Sequence, residues 1–155
     1  MKQEVHDDFR PPWFLRNPHI QTVLGHWLPG PRFGYPVERR FVQLDDGDQL
    51  VLHDAIPPGW QPGDRIVILT HGLGGCHDSG HQRRFARAFM QRGIRSVRLD
   101  QRGCGAGLPY ARQVFHGGRS DDILATVEEI HRWSPTSPLS LIGVSLGGNM
   151  ILKML

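Results

Sequence analysis

The chain has 155 residues, 39% of them hydrophobic and 21% charged, the ordinary balance of one globular domain with a single core. The net charge of +3 is carried mostly by scattered arginines, which permits an anionic surface or substrate and does not argue for nucleic acid. Two cysteines, Cys76 and Cys104, have no metal spacing and form no disulfide framework, and no apolar run approaches a membrane span.

Residues 1–36 read as a Pro- and aromatic-rich arm. The opening M-K-Q-E-V-H-D-D-F is acidic and lacks an apolar segment, so no signal peptide is expected and a cytoplasmic protein is the default. Pro11, Pro12, Pro18, Pro29, Pro31 and Pro36 forbid a long helix. Asn17-Pro18 marks a turn, and His19 to Leu24 should wind one or two helical turns ending at Gly25. Trp13, Phe14, Trp27 and Phe33 need a surface to bury against. Two readings stand: the arm wraps the core, or it forms an amphipathic patch that touches lipid or an acyl substrate.

Residues 37–155 form the second unit. Arg39 to Leu44 and Gln49 to Ala55 are expected strands around Asp45-Asp46-Gly47-Asp48, a hairpin signal in a loop longer than two residues. Arg65 to Thr70 is an unbroken apolar run, as in a strand covered on both faces. It empties into His71-Gly72-Leu73-Gly74-Gly75. Gln82 to Arg92 should be a helix with Phe85, Ala86, Phe89 and Met90 inward and Gly93 as its stop. Ile94 to Leu99 is the next strand, followed by the Gly-rich loop 100–107. A further helix begins near Ser120, an expected N-cap, with Asp121 and Asp122 in its first turn and Ile123, Leu124, Val127 and Ile130 facing the core. Ser134-Pro135 ends it. From residue 65 the rhythm is strand, helix, strand, helix, strand, helix, which predicts a parallel sheet with helices on its faces.

The last strand, Leu139 to Val144, runs into Gly143-Val144-Ser145-Leu146-Gly147 and then a Pro-free segment that can wind as a helix. Strand, sharp turn and helix is the context that makes G-x-S-x-G a nucleophile elbow. A Cβ at Gly143 or Gly147 would collide with the facing backbone, and Ser145 would sit strained at the tip with Oγ projecting from the sheet. The helix N-terminus beneath it favours an oxyanion.

Three segments together resemble the α/β-hydrolase superfamily: His71–Gly75 after one strand, Asp100-Gln101-Arg102-Gly103 after the next, and the Ser145 elbow after the third. The arm Pro12-Trp13-Phe14-Leu15-Arg16-Asn17-Pro18-His19-Ile20-Gln21-Thr22, the R-G-C-G at Arg102–Gly105, and His116-Gly117-Gly118-Arg119-Ser120-Asp121-Asp122 are similar to the YheT-like branch. That branch includes bacterial predicted hydrolases, yeast medium-chain ester acyltransferases and animal abhydrolase-domain lipases. The sequence departs from it at Gly105-Ala106-Gly107, where the branch tends to read G-G-S.

The resemblance implies an α/β-hydrolase fold, here its N-terminal half: an antiparallel hairpin, then parallel βαβαβα. It implies a serine carboxylic-ester hydrolase for short- to medium-chain acyl esters, with a small-molecule ester or lipid substrate and no cofactor. Ser145 would be the nucleophile. The backbone N–H groups of Leu73 and Leu146 would form the oxyanion hole, Gly143 and Gly147 the elbow, and His71 and Gly72 its supporting loop. The superfamily places the acid and the histidine after the serine, and the sequence runs only ten residues past Ser145, so neither triad partner is expected within it. The expectation is therefore a truncated, split or partial hydrolase whose C-terminal half would be a partner, with a strand edge at Leu139–Val144 open to aggregation or pairing. Acyl transfer to an alcohol, and an inert fragment acting only by protein pairing, are the alternatives.

Weaker patterns are set aside. His77 and His81 lack the helix and Glu of a zinc motif. Gly103, Gly105 and Gly107 do not fit G-x-G-x-x-G. Cys76 and Cys104 follow neighbouring strands and read as unreactive thiols.

Overall fold

A computed structural model describes residues 10–27 and 31–155. The acidic opening segment, Pro29 and the side chain of Trp27 lie outside the described residues. The strands are β1 (Glu38–Gln43), β2 (Gln49–Ala55), β3 (Ile66–Thr70), β4 (Arg95–Asp100) and β5 (Leu139–Gly143). The helices are α1 (Pro18–Trp27), α2 (Gly80–Met90), α3 (Ser120–Trp133) and α4 (Leu146–Met154).

The strands form one mixed sheet in the order β1-β2-β4-β3-β5. The hairpin β1–β2 is antiparallel, β2 pairs antiparallel with β4, and β4, β3 and β5 run parallel. Strand alternation divides the core between the two faces. On β3, Ile66 and Ile68 join Leu50, Leu52, Ile123, Ile130 and Met150 on the side of α3 and α4. Val67 and Leu69 join Ala55, Ala86 and Met90 on the side of α2. Both faces of β3 are therefore dry, which is why its sequence is an unbroken apolar run. Among the described residues β5 has β3 on one side and no strand on the other, and all five of its residues are half-buried.

Several local expectations change. Helix α1 runs two residues past Gly25. Asn17 caps it, its Oδ1 accepting the His19 N–H at 2.9 Å, and glycine is tolerated within a helix at a cost of about 1 kcal/mol. Trp13 and Phe14 do not bury: they are 80% and 56% exposed and pack edge-to-face on each other. Among the described aromatic side chains named above, Phe33 reaches the core, beneath the Arg98 guanidinium.

On α2 the buried stripe is Gln82, Ala86 and Met90, while Phe85 points outward. On α3 Thr126 takes the buried place expected of Leu124. Ser120 is not a cap, because the turn closed by Arg119 N–H on the His116 carbonyl already brings Ser120 in as the first helical residue. Asp122 does not serve the helix dipole alone. Its carboxylate takes both Nε and Nη2 of Arg102 at 2.7 and 2.9 Å, and Arg102 also reaches Asp46 and Asp48 in the hairpin turn. This ion network ties α3, the loop after β4 and the β1–β2 turn together. Gly93, at φ 69°, closes α2 as expected.

Candidate active site

The chain leaves β5 at Gly143 and enters α4 at Leu146 with two residues between them. The bend is held by Val144 N–H on the Thr70 carbonyl at 3.1 Å and Gly147 N–H on the Val144 carbonyl at 3.0 Å. Ser145 sits at its tip with φ 52° and ψ −117°, the one non-glycine with positive φ among the described residues. L-residues avoid this region, and holding one there costs about 1–3 kcal/mol.

The glycines are required by contact. A Cβ on Gly143 would stand 2.5 Å from Gly148 N and 2.6 Å from the Gly147 carbonyl carbon. A Cβ on Gly147 would stand 2.5 Å from the His71 carbonyl oxygen. Strand end, helix start and the 71–75 loop thus touch backbone to backbone.

That loop lies against the serine. A Cβ on Gly72 would be 3.0 Å from the Val144 carbonyl oxygen, 3.2 Å from Ser145 Cβ and 3.8 Å from its Oγ. Gly75 N–H closes a turn on the Gly72 carbonyl at 3.1 Å, with Gly74 at φ 68° as that turn requires. Leu73 occupies the crest and is 80% exposed. Leu146 opens α4, so its N–H is among the donors that an α-helix leaves without an internal partner.

His71 is completely buried. Its Nδ1 lies 2.8 Å from the Gly72 carbonyl, and its Nε2 accepts the Gln101 N–H at 3.3 Å. Burial lowers its pKa, in keeping with a neutral ring that donates at Nδ1 and accepts at Nε2. It braces the loop, and His116 is engaged elsewhere, its Nδ1 accepting Gly118 N–H at 3.1 Å. Among the described residues no hydrogen bond joins Ser145 Oγ to a histidine or a carboxylate. A polar cleft of about 550 Å³ between β1 and α3, lined by Asp45, Asp121 and Glu128 among others, does not include Ser145.

Sequence reasoning missed the residues that hold the loop from below. Asp100 and Gln101, at the end of β4, bind its two ends. Gln101 Nε2 donates to the His71 carbonyl at 2.8 Å, and Asp100 accepts the His77 N–H at 2.5 Å. Asp100 also accepts from the rings of His53 and His77, at 3.0 and 2.6 Å, and from Ala106 N–H at 2.8 Å. Burial opposes its charge, but these donors outweigh it and hold its pKa far below the ordinary carboxylate value. The glycine at 105, with φ 50°, makes room for the carboxylate: a Cβ there would stand 2.5 Å from Asp100 Oδ2.

The donor atoms of His53, His77 and Asp100 lie within 4.8 Å of one another, the composition of a metal site. Their orientation is wrong for one. The two imidazoles stack with centroids 3.4 Å apart and planes 10° from parallel. A metal must lie close to the plane of each ring that binds it, and two planes so nearly parallel do not meet within coordination distance of the rings. His77 is turned to His53 and Asp100. Both cysteines are free, and burial pushes the Cys104 thiol up to about 11, the behaviour of an inert thiol.

A strained serine between two glycines, at a strand-to-helix turn beside a glycine loop, is the backbone arrangement of the α/β-hydrolase fold. A sequence profile of the alpha/beta hydrolase fold matches residues 65–155, and the chain belongs to that family. Abhydrolase domain-containing protein 2 of Drosophila melanogaster is 29% identical over 137 residues, which is 87% of this chain and 34% of that protein. Putative esterase YheT of Escherichia coli is 27% identical over 148 residues, 96% of this chain and 43% of that protein. The structure of an α/β serine hydrolase without lid from Xanthomonas campestris superposes with a TM-score of 0.65 at 26% identity, covering 81% of this chain and 58% of that one. The chain therefore spans well under half the length of these curated relatives.

Proposed function

We propose that residues 1–155 carry the nucleophile and the oxyanion hole of a serine carboxylic-ester hydrolase acting on short- to medium-chain acyl esters. One observation carries the reading: Ser145 is held at φ 52° with the backbone of Gly72 packed against it. Strain of this kind persists where a side chain must be presented. In this reading Ser145 Oγ attacks the acyl carbonyl, its proton passes to a base, and the new Oγ–C bond expels the alcohol as the acyl-enzyme forms. The N–H groups of Leu73 and Leu146 hold the developing oxyanion, and losing one such donor costs on the order of 3 kcal/mol of barrier. The base and its acid come from outside the described residues.

A lipidic ester is favoured over a fully water-soluble one by the arm. Trp13, Phe14 and Val23 are more than half exposed, the arginines at 10 and 16 lie in the same stretch, and no carboxylate occurs between residues 10 and 37. Aromatic rings flanked by cations suit the surface of an anionic bilayer.

The test is a fluorophosphonate probe, which phosphonylates the serine with loss of fluoride. Wild type should be labelled at Ser145 once the base is present, Ser145→Ala should not, and Leu73→Pro, which deletes one N–H, should be labelled on the order of a hundredfold more slowly. Absence of labelling under all conditions, including the addition of a polypeptide that supplies the rest of the fold, would leave only an inert, pairing fragment. Sedimentation with phosphatidylglycerol vesicles, wild type against Trp13→Ala/Phe14→Ala, checks the arm.

A further inference from the structure

We propose that His77 is a positioning residue for the oxyanion loop, latching its far end to Asp100 so that the Leu73 N–H is held over Ser145. The proposal rests on the ester reading above for its catalytic meaning.

The loop from His71 to Ser79 has two anchorages. The near end is fixed by His71, buried and bound by Gln101. The far end is fixed by His77, every backbone polar group of which is engaged. Its N–H goes to Asp100 Oδ1 at 2.5 Å, and its carbonyl accepts from Arg98 Nη1 at 3.1 Å. Its Nδ1 lies 2.6 Å from Asp100 Oδ2 and its ring lies flat on His53. Between the anchorages lie Gly72, Leu73, Gly74 and Gly75, a run with little stiffness of its own. Two neighbouring residues of one strand end, Asp100 and Gln101, therefore clamp both feet of a flexible arch.

The second foot is the selective one. The His77 side chain is partly open to solvent, whereas Asp100 is fully buried. A buried carboxylate needs its donors, and it draws four from three segments: β2 (His53), the arch (His77 twice) and the loop after β4 (Ala106). Of these, only His77 transmits the grip to the arch. An apolar residue at this position would pack on His53 and fill the space equally well, so packing alone does not require histidine.

Two substitutions separate the donor from the ring. His77→Phe keeps the stack on His53 and the backbone N–H bond to Asp100 and removes the ring donor. His77→Asn puts an amide N–H at the place of Nδ1 and removes the stack. Hydrogen exchange on the full chain should rise about tenfold in peptides covering 71–79 for Phe and stay within about twofold of wild type for Asn, as loss and retention of a charge-assisted hydrogen bond require. Peptides in β3 and α3 should not change. Fluorophosphonate labelling of Ser145 should slow about tenfold in the Phe variant and recover in the Asn variant. No rise in exchange for Phe, a rise spread over the whole chain, or failure of Asn to restore the loop would overturn the latch. A labelled wild type with an equally fast Phe variant would overturn its positioning role. A wild type that stays unlabelled with the rest of the fold supplied sinks the ester reading and the catalytic role with it, while exchange still decides whether His77 holds the arch.

Discussion

The elbow and the arm are both short, glycine-containing and rich in turns, yet they are held by different physics. Around Ser145, backbone touches backbone: the space of a Cβ at Gly143, Gly147 or Gly72 is already taken by another segment. In the arm, α1 is stabilised by its own bonds, such as Asn17 Oδ1 to His19 N–H and Gln21 Nε2 to the Leu15 carbonyl, and the space around Gly25 is empty to 4 Å. Glycine is a steric requirement in the first region and a mere tolerance in the second. Sequence alone writes both with the same letter.

The sharpest way to break the comparison is one substitution made in both places. Gly143→Ala should destabilise by about 3 kcal/mol, because the new methyl meets the backbone of Gly147 and Gly148 and neither can withdraw. Gly25→Ala should stabilise α1 locally by up to about 1 kcal/mol and leave the global unfolding midpoint in place. Urea denaturation measures the first effect, and hydrogen exchange over residues 18–27 the second. If both variants shift the midpoint alike, the arm is as tightly coupled to the body as the elbow. Between these lies Ser145→Gly. It relieves the positive φ and should gain about 1 kcal/mol, the strain removed less the added freedom of the unfolded chain. A loss of stability would mean that the serine conformation is not strained.

What was legible in the sequence follows the same division. The elbow and the five strands were readable because their rules are local. G-x-S-x-G states a steric need within five letters, and β3 shows its two dry faces as an unbroken apolar run. The buried stripe of α2 was read in part: Ala86, Phe89 and Met90 face the core, but Gln82 takes the place expected of Phe85, and the polar letter hid the spacing by four of Gln82, Ala86 and Met90. The exposure of Trp13 and Phe14 was hidden for the opposite reason, since apolar letters suggest burial without supplying a surface. The clamp under the 71–79 loop left almost no trace. His53, His77 and Asp100 are 47 and 23 residues apart in pairing, and only the sheet order brings them together.

The smallest effect, and the one that ties the site to the rest of the core, is the response to acid. His53 is buried beneath the 71–79 loop, His71 is buried at its near end and His81 lies partly exposed on α2; burial is the first cause of a lowered pKa in all three, from an ordinary 6.5. A base with a lowered folded pKa binds fewer protons folded than unfolded. Its contribution is therefore complete above about pH 6.5 and is lost as the pH falls toward the folded value. Asp100 acts in the same direction at lower pH: its folded pKa lies below the ordinary 3.8, so its share is lost only as the pH falls through that value. Urea midpoints at pH 7.5, 5.5 and 3 should fall at each step. In the His53→Asn variant the first drop should shrink, because one of these three imidazoles no longer has to be protonated on unfolding. If the midpoint were flat between pH 7.5 and 5.5, the imidazoles beneath the loop would be titrating as freely in the folded chain as in the unfolded one, and the dry, clamped character of this region, in contrast to the arm, would be wrong.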